Sequence, residues 1–190
     1  MTQEDKDIFQ FSQQILSEAD CLFSNKEVGL AIDELAKKIN DKLKYSNPII
    51  LAVMNGGLIP CGLLLPKLNF PLQVDYIHAT RYGKNTTGGK LQWIAKPTLD
   101  LKDRIVLLVD DIHDEGYTLK GIIEYCQQLG AKTVFSCVLI HKVHDRKGSE
   151  PADFSGLDVP DRYVFGYGMD YKTLLRNAPG IYAVKEDDSN

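Results

Sequence analysis

Asp110, Asp111 and Asp114 stand close together in the chain, and Gly116 and Thr118 follow directly. Carboxylates accept hydrogen bonds from sugar hydroxyls. A glycine-containing turn that opens a helix offers free backbone N–H groups and a partial positive charge, which together attract a phosphate. Thr118 is placed to add a hydroxyl donor. The acids and the anion site would serve different parts of one ligand, and a sugar phosphate satisfies both.

Such residues need a strand to carry them and a helix to receive them. Residues 105–109 (IVLLV) form a short unbroken apolar run, as expected of a strand buried on both faces in a parallel sheet. Asp110 and Asp111 then fall at its carboxyl end, where ligands bind in open α/β sheets. After the loop 114–118 a helix is predicted, with Leu119, Ile122, Ile123, Cys126 and Leu129 on its buried face and Gly130 as its stop. Taken together, residues 109–119 (VDDIHDEGYTL) resemble the phosphoribosyl pyrophosphate (PRPP) motif of the type I phosphoribosyltransferases. The Asp pair alone fits an acidic loop of an ordinary doubly wound protein equally well. The third aspartate, the glycine and the threonine favour the resemblance.

At 190 residues the chain is long enough for one domain with a real core. Its net charge of −4 gives no general reason to expect nucleic acid or an anionic membrane as a partner. An anionic substrate must then be met by local donors. No segment approaches the ~20 apolar residues of a membrane span, and the first residues, MTQEDKDIF, lack the basic and apolar regions of a signal peptide. A cytoplasmic location is the expectation. Cys21, Cys61, Cys126 and Cys137 are far apart and read as small buried hydrophobes. No His/Cys cluster has zinc spacing, and His141 and His144, at the end of a strand, read as a solvated pair.

In chain order, residues 8–19 and 25–43 read as helices, the second with Val28, Ile32, Leu35, Ile39 and Leu43 at helical spacing. Residues 49–54 (IILAVM) are a second buried strand, interrupted by Asn55, Gly56 and Gly57, and residues 58–65 a short helix ending near Pro66. Residues 73–80 alternate as a strand. The segment 81–90 (RYGKNTTGGK) is polar, glycine-rich and cationic, and reads as a mobile loop or plain hairpin tip, with 91–94 returning. Residues 133–140 are a buried strand, 145–158 a loop, 163–167 an aromatic strand, 171–176 a helical turn and 181–184 a last strand. Strands alternate with helices through the middle, so the fold class is α/β with a mainly parallel central sheet flanked by helices.

The resemblance adds further expectations. It covers roughly residues 48–184 and is strengthened by Lys142, by 160–164 (PDRYV), by 166–171 (GYGMDY) and by Arg176, which match the hypoxanthine-guanine branch. It implies a single type I phosphoribosyltransferase domain over 1–190, its core at about 25–145 and a small C-terminal hood at about 146–184, to which the N-terminus could contribute. The implied activity is purine salvage: transfer of 5-phosphoribosyl from PRPP to hypoxanthine or guanine, giving IMP or GMP and pyrophosphate. Asp114 would be the catalytic base at the purine N7, and Asp110 and Asp111 would hold the ribose hydroxyls. Asp114, Glu115, Gly116, Tyr117 and Thr118 would bind the 5′-phosphate. Asn55, Gly56, Gly57 and Arg176 would bind pyrophosphate, with an unusual cis bond at Asn55–Gly56. Arg81, Tyr82, Gly83 and Lys84 would begin a flexible lid. Lys142, Tyr163, Val164 and Asp170 would read the purine. Asp170, with Asp110 and Asp111, would hold Mg²⁺. A homodimer or homotetramer is expected, with no nucleic acid and no membrane as partner.

Some positions depart from the family's pattern. Glu115 stands where threonine is expected, and its carboxylate must point away from any phosphate, since like charges ~4 Å apart at an effective dielectric of ~20 repel by about 4 kcal/mol. Asp110 replaces a glutamate, and Asn55 and Arg162 replace lysines. The rival readings are a non-catalytic regulator that senses PRPP or nucleotide, a flavodoxin-like receiver, and a transferase preferring adenine or xanthine. A regulator would not need Asp114 and Lys142, and a receiver would not need a phosphate loop after Asp114.

Overall fold

Capping chemistry fixes where the first two helices begin. The computed structural model describes residues 2–81, 91–146, 148 and 150–185. Thr2 and Asp5 exchange side-chain and backbone hydrogen bonds at the start of α1 (Gln3–Glu18), and Ser24 and Glu27 do the same for α2 (Asn25–Leu43). Between them lies β1 (Asp20–Ser24). The predicted apolar stripe of α2 is its buried face, with Ala36 added. There follow β2 (Ile49–Met54), α3 (Leu58–Leu64), a 3₁₀ turn (Leu65–Lys67), β3 (Gln73–Arg81), β4 (Leu91–Ala95), β5 (Ile105–His113), α4 (Tyr117–Gln128) and β6 (Thr133–Lys142). The chain ends with β7 (Phe154–Val159), β8 (Val164–Phe165) and β9 (Gly180–Ala183).

The larger sheet has the order β4-β3-β2-β5-β6-β7; β4 is antiparallel to β3, and the other neighbours are parallel. Alternation along the strands divides the core between its two faces. Ile50, Ala52, Leu107, Val109 and Leu139 pack with α2 and α3, while Ile49, Leu51, Val53, Val106, Leu108 and Val138 pack with α4. Strands that bury both faces read as continuous apolar runs, which is why β2, β5 and β6 were visible in the sequence. From β2 the chain crosses to β3 on one side, and from β5 to β6 on the other. The carboxyl ends of β2 and β5 therefore flank a topological switch point, the usual place for a ligand in such sheets.

A second sheet, β1-β9-β8, is antiparallel and encloses a small core of Ile15, Phe165, Tyr171, Ala178 and Val184. Three expectations change here. Residues 145–158 are not all loop, because β7 extends the large sheet; Ser136 and Asp153 clasp its start, with the Ser136 N–H and Oγ donating to Asp153 Oδ2 at 2.8 and 2.9 Å. An edge strand tolerates the polar and glycine residues that hid it. Residues 171–176 are not a helical turn, because Lys172, Thr173 and Leu175 have positive φ and cannot continue a right-handed one. Of the cysteines, Cys21 is exposed, whereas Cys61, Cys126 and Cys137 are buried as expected. No helix among the described residues is long and apolar enough to cross a membrane.

Candidate active site

The turn after β2 and the end of β5 meet without room for side chains. Gly57 N–H closes the turn on the Val53 carbonyl at 2.8 Å. The cis peptide bond lies at Met54–Asn55, one residue before the expected Asn55–Gly56, because the chain reverses at the bond that leaves the strand. A Cβ on Gly56 would fall 1.9 Å from Asp111 Oδ2, and one on Gly168 would fall 2.0 Å from the Gly56 carbonyl oxygen. Both positions therefore require glycine. The pyrophosphate-turn candidate, Asp111 and the GYGMDY segment are thus stacked against one another.

Asp110 and Asp111 are partly buried, and each accepts the N–H of the next residue, at 2.9 and 2.8 Å. Burial, reinforced by the charge of Asp111, pushes the Asp110 carboxyl well above its ordinary value. Burial also raises Asp111, against hydrogen bonds from Asp110 and Ile112 and the charge of Arg176. Two acids held in this way attract a cation or the hydroxyl donors of a sugar.

Gly116, at φ 81°, is the left-handed residue that turns the chain into α4, and no side chain caps that helix. Its first-turn N–H groups, with Thr118 beside them, are a ready site for an anion. The Glu115 carboxylate is directed to Arg146, with Oε1 3.8 Å from Nε.

Asp114, next to this loop, is held from both sides. Lys142 Nζ lies 2.7 Å from its Oδ2, and His144 Nε2 lies 2.6 Å from its Oδ1. Burial opposes its charge, but the bonds from Lys142 and His144 prevail and hold the carboxyl below its ordinary value. His144 is thus not one of a solvated pair; its side chain is 4% exposed, because the loop after β6 folds it inward onto Asp114. His141 faces Asp158, 3.1 Å away.

In the hood, Tyr163 is half-exposed, sets its ring edge-on to Tyr171 at 5.5 Å, and donates its hydroxyl to the Asp170 carbonyl at 3.1 Å. Val164 is buried and pairs with Ala183. Arg176 forks onto Asp170 Oδ1 and the Gly168 carbonyl, both at 2.5 Å, while Asp170 Oδ2 accepts the Thr173 N–H at 2.7 Å. Asp170 and Arg176, expected on metal and pyrophosphate, are therefore paired with each other. Of the expected lid, Arg81 ends β3, and Tyr82, Gly83 and Lys84, with the rest of 82–90, lie outside the described residues.

The phosphoribosyl transferase domain family matches residues 18–172. The chain belongs to the phosphoribosyltransferase family. It is 31% identical to a hypoxanthine-guanine phosphoribosyltransferase of Aquifex aeolicus, over 87% of this chain and 94% of that one. It is 30% identical to a hypoxanthine-guanine-xanthine phosphoribosyltransferase of Tritrichomonas foetus, over 87% and 91%. A solved hypoxanthine phosphoribosyltransferase of Staphylococcus aureus superposes with a TM-score of 0.86 at 26% identity, covering 92% of this chain and 96% of that one. The fold is that of the type I phosphoribosyltransferases.

Three residues around Asp114 were given no site role in the sequence: His144, Arg146 and Asp161. Arg146 forks onto Asp161 at 2.7 and 2.9 Å, tying the loop after β6 to the hood. Asp114, His144 and Asp161 each bring a metal-ligand-type atom within 4.8 Å of the others, but those atoms already serve the hydrogen bonds and ion pairs described. The only local signal was the clustering of His, Asp and Arg just beyond Lys142.

Proposed function

We propose that the protein transfers 5-phosphoribosyl from PRPP to a 6-oxopurine, hypoxanthine or guanine, yielding IMP or GMP and pyrophosphate. The observation that carries this reading is the Lys142–Asp114 pair, a donor and an acceptor 2.7 Å apart. A 6-oxopurine protonated at N7 presents the matching edge, with O6 as acceptor beside N7–H as donor. Lysine has three donors, and a carboxylate has about four lone-pair positions, so both can keep each other and still meet the purine. A 6-amino group would face Lys142 donor to donor.

In the reaction the C1′–O bond to pyrophosphate breaks as N9 bonds C1′, and the N7 proton passes to Asp114. Asp110 and Asp111 hold the ribose hydroxyls, and the 114–118 loop with the start of α4 holds the 5′-phosphate. Tyr163, half-exposed, offers its face to the purine ring. Main-chain groups near Val164 and Asp170 read its N2/C2 edge. The turn of Asn55, Gly56 and Gly57 receives pyrophosphate, joined by Arg176 once it leaves Asp170. Mg²⁺ would supply charge neutralisation for the departing pyrophosphate. Asp110 and Asp111 would hold this hard cation, together with Asp170, whose oxygens here accept from Thr173 and Arg176. The outer face of the β3–β4 ribbon leaves Val74, Tyr76 and Ile94 exposed, and we assign this face to a homo-oligomer contact.

Pyrophosphate release with PRPP, Mg²⁺ and a panel of hypoxanthine, guanine, xanthine, adenine and uracil tests the reading. Release is expected with hypoxanthine and guanine. Absence of release with every base would overturn the transfer, and equal use of adenine would overturn the 6-oxopurine assignment.

A further inference from the structure

We infer that His144 is a positioning residue for Asp114: a neutral imidazole, its proton fixed on Nε2, that holds one carboxylate oxygen and leaves the other to Lys142 and the purine. The inference rests on the reading of Asp114 as the partner of N7. The tautomer follows from the neighbours. The backbone N–H of Arg146 lies 3.1 Å from His144 Nδ1 and can only donate, so Nδ1 accepts. The single proton of the neutral ring is then on Nε2, which donates to Asp114 Oδ1 at 2.6 Å. A second proton on Nδ1 would point at the Arg146 N–H.

The loop that carries the imidazole is fastened on three sides. Val143 N–H donates to the Val159 carbonyl at 2.8 Å, Gly148 N–H to the Glu115 carbonyl at 2.7 Å, and Arg146 grips Asp161. His144 is almost wholly covered, whereas the Asp114 side chain is 42% exposed. His144 thus anchors Oδ1 from a covered position, and Oδ2 is held by Lys142. Torsion about the last bond of an aspartate is soft, so the one hydrogen bond from Lys142 would leave the carboxylate freer to turn. The imidazole removes that freedom without adding a charge that would weaken Asp114 further as a base. Besides Asp114, the acids Glu115 and Asp161 meet this loop through Arg146, which contacts both.

The test is steady-state kinetics on His144→Ala and His144→Gln, with PRPP and hypoxanthine varied separately. A glutamine amide presents a donor at a reach comparable to Nε2. His144→Ala is expected to lower kcat by ~10²-fold, the scale of a misplaced catalytic group, with KM for PRPP within about twofold. His144→Gln is expected to recover most of that loss. An unchanged kcat in His144→Ala, or His144→Gln as impaired as His144→Ala while both melt like the parent, would overturn the inference. Parent protein that releases pyrophosphate and loses it in Asp114→Asn keeps the function standing whichever way His144 falls. An inactive parent would remove the functional reading and this inference with it.

Discussion

Lys142→Met removes the ammonium that faces both Asp114 and the proposed O6, while keeping an apolar stem of similar length. The stability cost can be bounded from the geometry. Unit charges ~4 Å apart at an effective dielectric of ~20 attract by about 4 kcal/mol. The Lys142 side chain is 12% exposed and Asp114 42%, and Asp114 keeps His144, so water and imidazole recover part of that. A hydrogen bond to a charged group contributes about 1.5–3 kcal/mol and an exposed ion pair about 0–1, so about 1–2 kcal/mol is expected here. The sign with pH follows from Asp114, whose carboxyl is held low in the folded protein. That stability is present above the unfolded value near ~4 and is lost as pH falls through the native one. Denaturant melts should therefore show parent and variant separated at pH 7 and converging below about pH 4. In kcat/KM, the parent should use adenine at least ~10³-fold less efficiently than hypoxanthine, since a site built on a polar contact strands its donor with the wrong base. The variant should lose hypoxanthine activity by ~10²–10³-fold and adenine activity far less. An equal loss for both bases, or a stability gap that ignores pH, would refute the reasoning.

Asp110→Asn should be at least as stable as the parent at pH 7.5 in thermal melts, yet lose PRPP-dependent turnover. The parent's raised Asp110 carboxyl means the native state binds more protons than the unfolded chain, so parental stability falls as pH rises from about 4 through the native value, a loss the amide does not share; a variant less stable at pH 7.5 contradicts this. Gly56→Ala should keep its circular dichroism spectrum but drop at least ~10²-fold in kcat/KM, because its Cβ would displace Asp111. Parental activity there would mean the turn is free to move. Tyr76→Glu should shift sedimentation toward monomer if the β3–β4 face is the contact between copies, and an unchanged profile would place the contact elsewhere.

The elements that could be read from the sequence are those whose burial repeats along the chain. Helix α2 shows a 3.6-residue stripe, and β2, β5 and β6 are continuous apolar runs because both faces are covered. β1 was missed because it is short, edge-placed and half-exposed, with a register shift between Cys21 and Phe23. The hood turns were misread because left-handed Lys172, Thr173 and Leu175 carry no compositional mark of that conformation. The acids at the end of β5 were placed by local spacing, and Lys142 was singled out by the family resemblance. His144 was not, because its meaning lies in a contact with Asp114 across 30 residues of sequence. Likewise, nothing local shows that Arg176 and Asp170 pair with each other.

Two of the positions that depart from the family's pattern, Asn55 and Glu115, lie in turns that we propose act through main-chain groups. Asn55 sits in a turn that offers main-chain groups and whose spacing is set by Gly56 against Asp111. Glu115 turns its carboxylate to Arg146, leaving its place in the loop to the uncapped N–H groups at the start of α4. Substitution at such positions costs little, because an N–H donates whatever side chain it carries. The purine edge is different. There the proposed O6 and N7 contacts come from the Lys142 and Asp114 side chains, steadied by His144, with main-chain groups near Val164 and Asp170 proposed for the N2/C2 edge. Gly168 lies close against the Gly56 carbonyl and the Asp111 side chain, which fixes the GYGMDY segment beside the end of β5. On the proposed reading, discrimination of a 6-oxo from a 6-amino purine rests on Lys142 and Asp114, and it is at Lys142, not in the phosphate-binding loops, that a single substitution should change which purine is used.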